Sequence, residues 1–177
     1  MRKLTGRKVK VVRQMAGLEV RYSVPEDGEH WARWIRDPEV ARFYPMGTDS
    51  ERAESVEKMQ AVCKWKAALT AVYQGEVAGI AYLNLHPYKK IAHQCVFTVI
   101  VGKEFRGKGV GGVLLDHLER LAKEGFGQEM LHLELYEGNP AIRLYRRLGY
   151  LEFGFQSHWI LEASGFYKGK IFMAKWL

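Results

Sequence analysis

The stretch from Val99 to Gly112 decides the fold, and it reads Val-Ile-Val-Gly-Lys-Glu-Phe-Arg-Gly-Lys-Gly-Val-Gly-Gly. An apolar strand runs into a turn with four glycines among the six residues from Gly107 to Gly112, and an amphipathic helix follows. Glycine permits backbone angles that direct several N–H groups to one side, and the first N–H groups of a helix have no partner within it. The helix dipole adds positive potential. The stretch therefore predicts a binding site for phosphate or pyrophosphate.

Two well-known phosphate-binding motifs do not fit this turn. A nucleoside-triphosphate loop needs Ser or Thr after its lysine, whereas Lys108 is followed by Gly109. The glycines Gly107, Gly109 and Gly112 match the dinucleotide pattern G-x-G-x-x-G, but that loop should follow the first strand of a parallel sheet. Here it follows several strands in mid-chain, so both alternatives are disfavoured, and Arg106 and Lys108 are predicted to add positive charge at the rim.

The residues on either side of the turn predict a mixed α/β layout. Alternating and apolar runs bounded by Gly, Pro and Asp predict strands, and apolar residues three and four apart predict helices. The predicted strands are 18–24, 67–73, 77–86, 92–101, 131–135, 150–158 and 166–175, and the predicted helices are 25–37, 50–65, 109–123 and 140–148. The order is an antiparallel block, a helix, a strand, a helix and a closing hairpin, with one strand–helix–strand crossover.

Two motifs carry a family resemblance. Arg106-x-x-Gly109-x-Gly111, after a strand ending in Val101, resembles the acetyl-coenzyme A signature of the GNAT superfamily of N-acetyltransferases. The stretch 131–150, with Asn139 and Tyr145, is similar to the second half of that family's coenzyme site. The resemblance covers about residues 18–177 and implies a GNAT-like, mostly antiparallel twisted sheet of about seven strands. A strand–helix–strand coenzyme A core, flanked by helices, belongs to that fold.

The resemblance also implies how acetyl-CoA is bound as co-substrate. The pantetheine arm would lie along the strand that ends at Val101, and the pyrophosphate would lie on N–H groups of the glycine turn. Asn139 would hold the coenzyme or its loop, although asparagine is equally suited to cap a helix. The implied coenzyme-binding residues are Val99, Val101, Arg106, Gly107, Lys108, Gly109, Val110, Gly111, Gly112 and Asn139.

Two catalytic residues follow from the resemblance. A thiol has a pKa near ~8.5 and a phenol near ~10, so a positioned tyrosine hydroxyl can protonate the departing thiolate. Tyr145 matches the family's acid, unless it merely packs like Leu144. The attacking ammonium, with a pKa near ~10.4, must lose a proton, and Glu134 is the candidate base, directly or through water. The chain departs from the family because its Asn139–Tyr145 loop is one residue tighter, and because strand 92–101 lacks an acidic residue.

The acceptor amine is not identified by the sequence. The aromatic and histidine candidates for the acceptor cleft, which are equally suited to the core, are Phe43, Tyr44, His158, Trp159 and Tyr167. No acidic cluster indicates a polyamine pocket. The segment from Trp34 to Tyr44 loosely resembles the branch of the superfamily that acetylates the N-termini of ribosomal proteins.

Composition limits the remaining possibilities. The 177 residues and 20.4 kDa suit one domain, predicted as residues 15–177. The net charge of +7 comes mainly from six basic residues in a tail at 1–14; without them, 21 basic and 20 acidic residues leave +1. We expect this tail to be flexible, with Met15 as a possible alternative start. The nearly neutral charge of residues 15–177 disfavours nucleic-acid binding as the function, and no apolar run predicts a membrane span.

The cysteines and histidines give no site of their own. Two cysteines, Cys63 and Cys95, suit a reducing cytoplasm and packing roles, and the six scattered histidines predict no metal site. The cysteine content thus predicts a cytoplasmic protein, and the resemblance to the GNAT superfamily implies an enzyme that moves acetyl from acetyl-CoA to a primary amine of a protein N-terminus, peptide or small molecule. The alternative is a non-catalytic module of the same fold that binds acyl-CoA, nucleic acid or protein. Exposed sheet edges are compatible with a homodimer.

Overall fold

A single sheet of seven strands organises the chain. The computed structural model describes residues 14–177, so most of the predicted basic tail lies outside the described residues. The strands are β1 (Leu18–Tyr22), β2 (Ala68–Tyr73), β3 (Glu76–Leu85), β4 (Gln94–Val101), β5 (Met130–Tyr136), β6 (Leu151–Leu161) and β7 (Tyr167–Trp176). Their order in the sheet is β1-β2-β3-β4-β5-β7-β6, with β4 and β5 parallel and the other neighbours antiparallel. The predicted mixed α/β fold is confirmed.

Five helices accompany the sheet in the described residues. They are α1 (Gly28–Arg36), α2 (Pro38–Ala41), α3 (Asp49–Cys63), α4 (Val110–Arg120) and α5 (Ile142–Arg147). The short α2 was not predicted: Asp37 ends α1 as expected, but its side chain also accepts a hydrogen bond from the N–H of Glu39 and caps a new turn. No helix within residues 14–177 has the length and apolar character needed to cross a membrane.

The two faces of the sheet carry different helices. The buried side chains Leu114 and Leu118 of α4, one turn apart, join the main core on one face. On the other face, Trp31 of α1 and Met59 of α3 pack against Ile80 of β3 in a second core. The helices on both faces therefore fix the position of β3 and its neighbour β4, and a single 3-10 turn (Lys103–Phe105) connects β4 to the glycine turn.

A buried carboxylate fixes the start of α1 to the sheet. Asp27 is 3% exposed and accepts hydrogen bonds from Arg21 on β1, Thr70 on β2 and the N–H of Val24. Burial alone would raise the pKa of Asp27, but these hydrogen bonds together lower it below its ordinary value. The cluster positions α1, which supports one wall of the cavity described below.

We expect Asp27→Asn to lower the free energy of unfolding at pH 7 by about 2 kcal/mol, because it breaks a buried charge-assisted pair. Asp49→Asn removes the same charge from an ion pair with Arg52 in which Asp49 is 86% exposed, and should cost at most about 0.5 kcal/mol. Because the pKa of Asp27 is lowered on folding, its contribution is present above the unfolded pKa of ~3.9 and is lost as pH falls through the folded pKa. Urea unfolding at several pH values measures this, and equal losses for the two variants would contradict it.

Candidate active site

A groove opens where β4 and β5 separate. The two parallel strands pair only from Gln94–Met130 to Val96–His132. Beyond Val96 their edges diverge, and a cavity of about 920 Å³ lies there, lined by residues 96–101 and 133–136 of the two strands. Because the parallel pairing that joins the two halves of the sheet is short, the strands diverge beyond it and leave space for a ligand.

The free edge of β4 presents backbone groups to this groove. The Tyr44 hydroxyl donates a hydrogen bond to the Val99 carbonyl oxygen at 2.5 Å, and Arg106 Nε donates to the Val101 carbonyl oxygen at 3.2 Å. These two carbonyls thus face the groove rather than β3. A ligand lying along β4 would meet an edge of backbone polar groups, two of which already accept hydrogen bonds from side chains.

The glycine turn positions the start of α4 at the same cavity. Gly107 has φ 74° and Gly109, the residue before α4, has φ 89°, angles that favour glycine. A Cβ on Gly111 would lie 3.3 Å from Leu144 Cδ2, so the small residue permits close packing of α4 and α5. The first N–H groups of α4 have no acceptor within the helix and carry its positive dipole end, which suits an anionic ligand.

All but one of the predicted coenzyme-binding residues line the cavity. Those that line it are Val99, Val101, Arg106, Gly107, Gly109, Val110, Gly111, Gly112 and Asn139. Lys108 does not line it: its ammonium lies 5.8 Å from the Tyr73 ring centroid and 5.7 Å from that of Phe105. The lysine follows a glycine in the left-handed region, and its side chain is directed to these rings rather than to the rim predicted from the sequence.

Asn139 lies in the turn before α5 but is not its N-cap, which is Ala141, so it does not take the capping position that the sequence offered as its alternative role. Its Oδ1 accepts a hydrogen bond at 3.0 Å from the N–H of Ala141, just before α5. The same residue lines the cavity. Asn139 therefore fixes the turn that brings α5 to the site.

Tyr145 of α5 is buried at the cavity wall. It is 5% exposed, and its ring contacts Phe97 of β4 and Tyr150, with centroids 6.0 Å and 5.9 Å away. Burial raises the pKa of Tyr145, so the phenol is protonated at neutral pH. Burial also raises the pKa of Tyr44, and the nearby Tyr145 raises it further, so both hydroxyls are potential proton donors in one cavity.

Glu134 lies on the far wall of the cavity in an ion pair. Its Oε2 contacts the ammonium of Lys170 on β7, which is 7% exposed and lies 4.0 Å from the Trp159 ring centroid. The sequence placed Glu134 correctly on the face opposite to Leu133, but gave no partner for it. A lysine inside the otherwise apolar run Gly169–Ala174 was the signal that could have found Lys170.

Comparison with known proteins places this site in a family. The model of the Acetyltransferase (GNAT) family matches residues 28–150, which include the glycine turn, Asn139 and Tyr145. The chain belongs to the GNAT family.

Two curated acetyltransferases are 30% identical to this chain over the aligned residues. A mycothiol acetyltransferase of Corynebacterium aurimucosum is 30% identical over 129 residues, 67% of this chain and 42% of the relative. A streptothricin acetyltransferase of Streptomyces lavendulae is 30% identical over 122 residues, 68% of this chain and 62% of the relative. The chain thus spans less than two thirds of the length of either.

A solved acetyltransferase structure agrees in fold over nearly the whole chain. The Salmonella typhimurium protein yncA, determined with its cofactor acetyl-CoA, superposes with a TM-score of 0.76 at 20% identity and covers 91% of this chain and 94% of its own. The predicted fold and family membership are confirmed by these comparisons.

The aromatic candidates for the acceptor side divide into two groups in this GNAT chain. Phe43, Tyr44 and Trp159 line the cavity. His158 and Tyr167 do not, and their rings contact each other with centroids 5.2 Å apart in the β6–β7 hairpin. On this side the cavity is therefore lined by the α2–α3 loop and by β6, and we call this side the acceptor wall.

The cysteines lie away from this chemistry. Burial raises the pKa of Cys95, on β4, to about 12, and raises that of Cys63 on α3 as well. A thiol held protonated is a poor nucleophile, so neither cysteine is suited to form a covalent intermediate. No group of three potential metal ligands is close enough to hold an ion in the part of the chain that the structure describes.

Proposed function

We propose that this protein transfers the acetyl group of acetyl-CoA directly to a primary amine, with residues 15–177 as one catalytic domain. A single observation carries the proposal: the glycine turn and the start of α4, the free edge of β4, and the buried Tyr145 all line one cavity. Family membership supports the same activity.

The coenzyme is proposed to follow the predicted residues. The pyrophosphate lies on N–H groups of Gly107–Gly112, where the dipole of α4 and the Arg106 guanidinium favour negative charge. The pantetheine arm lies beside β4 and bonds to backbone groups of Val99 and Val101. Since the carbonyls of both residues already accept side-chain hydrogen bonds, the arm either uses their N–H groups or displaces Tyr44 and Arg106.

The reaction then needs two proton transfers. The amine nitrogen attacks the thioester carbonyl carbon, and a main-chain N–H near Val101 stabilises the oxyanion. As the C–S bond breaks, Tyr145 donates its proton to the sulfur. Burial in the same cavity raises the pKa of the coenzyme thiol as it raises the pKa of the Tyr145 phenol. Glu134 takes the amine proton, directly or through water, while its other oxygen contacts Lys170. The products are the acetylated amine and free coenzyme A.

We expect acetyl-CoA at a hundred times its dissociation constant to raise the melting temperature by about 5–10 °C, because it binds only the folded chain. Thiol release from acetyl-CoA across a panel of peptides, amino acids, polyamines and aminoglycosides then measures transfer. The absence of a shift with any acyl-CoA would overturn the coenzyme site. A shift without thiol release would favour the non-catalytic alternative.

The basic tail is the reason to keep that alternative. Salt-sensitive nucleic-acid binding that disappears on deletion of residues 1–14 would support it. The predicted cytoplasmic location, the homodimer and the likeness to the branch acting on protein N-termini stay predictions from the sequence.

A further inference from the structure

The charged side chains around the cavity are mostly positive. Among the described residues, those that line it are Lys58, Arg106, Glu134, Arg147 and Lys170. Arg106 follows the coenzyme edge of β4, and Arg147 ends α5. The acceptor wall is left with Lys58, Glu134 and Lys170. Glu134 and Lys170 face each other, so the wall offers no excess of negative charge to a second ammonium group.

Lys170 is the feature of this wall that the proposed reaction does not use. Its exposed fraction is only 7%, and burying an ammonium group is costly unless it is paired. An ammonium has three N–H donors. One is directed to Glu134, whose side chain is 40% exposed, and the Trp159 indole faces the charge. Lys170 therefore has donor capacity for a second carboxylate that enters from the cavity.

Apart from Ser55 and Lys58 of α3, the rest of the wall is mainly apolar. Phe43, Met46 and Trp159 line it together with Tyr44. Aromatic and aliphatic groups suit the hydrocarbon body of a small ligand, with a few polar groups to fix its orientation. A polyamine, which needs several carboxylates, finds here one carboxylate that is already paired.

We propose that the acceptor is a primary amine that carries a carboxylate of its own on an apolar body, as an apolar α-amino acid does, and that Lys170 binds this carboxylate. The proposal rests on the acetyl-transfer function proposed above. Trp159 holds the Lys170 ammonium from one side, and Glu134 remains close enough to share the lysine and to face the amine. Lys170 is thus a specificity-determining residue of the acceptor site.

The test compares acceptors that differ only in the carboxylate. Phenylalanine and 2-phenylethylamine, leucine and isoamylamine, and methionine and 3-(methylthio)propylamine form the pairs, with spermidine as a polycation. We expect the wild type to have the higher kcat/KM for the amino acid of each pair. Lys170→Met should lower that preference about tenfold to a hundredfold, the effect of losing one charge-assisted hydrogen bond, mainly through KM.

Lys168→Met is the matched control. Lys168 lies two residues earlier on β7 and is paired with Glu162, but it does not line the cavity. This variant should keep the wild-type preference within about twofold, since it removes an equal charge that no acceptor touches. Lys170→Arg, which keeps a cation, should recover part of the preference.

Several results would overturn the proposal. These are a wild type that prefers the decarboxylated amine or spermidine, and an unchanged preference in Lys170→Met. If the protein acetylates no member of the pairs but still shows the acetyl-CoA melting shift, the acceptor class is wrong while the coenzyme site stands. Loss of that shift in the wild type would instead remove the proposed function itself.

Discussion

Replacing Tyr145 by phenylalanine should lower kcat at least about a hundredfold, the usual effect of removing a general acid. The ring contacts with Phe97 and Tyr150 are kept, so the coenzyme-induced rise in melting temperature should persist. Single-turnover thiol release and thermal unfolding with acetyl-CoA measure the two effects separately. Because burial raises the pKa of Tyr145, the wild type should show no loss of activity from its ionisation up to about pH 10.

Tyr150→Phe tests whether any buried hydroxyl of this aromatic cluster would give the same result. Tyr150 is 1% exposed and contacts the Tyr145 ring, but it does not line the cavity. It should change stability while leaving kcat within about threefold, since it touches no reacting atom. Wild-type turnover in Tyr145→Phe would assign Tyr145 to packing alone.

Gly107→Asp should weaken acetyl-CoA binding about 30-fold, which corresponds to about 2 kcal/mol of repulsion between like charges at the pyrophosphate. Gly107 lines the cavity, its φ is 74°, and no atom lies within 4 Å of a Cβ built on it. Asp and Asn are the residues that best tolerate this backbone conformation. Gly107→Asn therefore carries the same strain and shape without the charge.

Titration calorimetry of both variants isolates the charge effect. The Asn variant should bind within about threefold of the wild type, because it leaves the backbone N–H groups in place. Equal weakening in the two variants would mean that backbone geometry, not charge, sets the affinity. Unchanged binding in the Asp variant would remove the glycine turn from the coenzyme site.

The parts of the fold predicted best are those encoded locally. The glycine turn and α4 are continuous in sequence, so Gly109 and the Leu114–Leu118 spacing were sufficient to place both. The start of α3 was predicted from Ser50, whereas Thr48 caps it, with its hydroxyl accepting from the N–H of Glu51 and Glu51 accepting from the N–H of Thr48. Competing caps two residues apart are hard to separate by sequence alone.

The contacts that complete the site are long-range and were beyond the sequence. Tyr44 reaches Val99 across 55 positions of the chain, and no local pattern encodes that bond. Lys170 faces Glu134 only because of the β5–β7 register, which pairs Tyr136 with Lys170. A one-residue shift of either strand would separate them, so the partner of the candidate base depends on tertiary structure.

The short pairing of β4 with β5 has a consequence for mechanics. Only the segment Gln94–Val96 joins β4 to Met130–His132, so few interstrand hydrogen bonds connect the two halves of the sheet at that seam. A coenzyme arm lying beside β4 would supply hydrogen bonds where the adjacent strand has left. Bound acetyl-CoA would then connect the two halves of the sheet. Without acetyl-CoA, the two halves would move relative to each other more freely than in the complex.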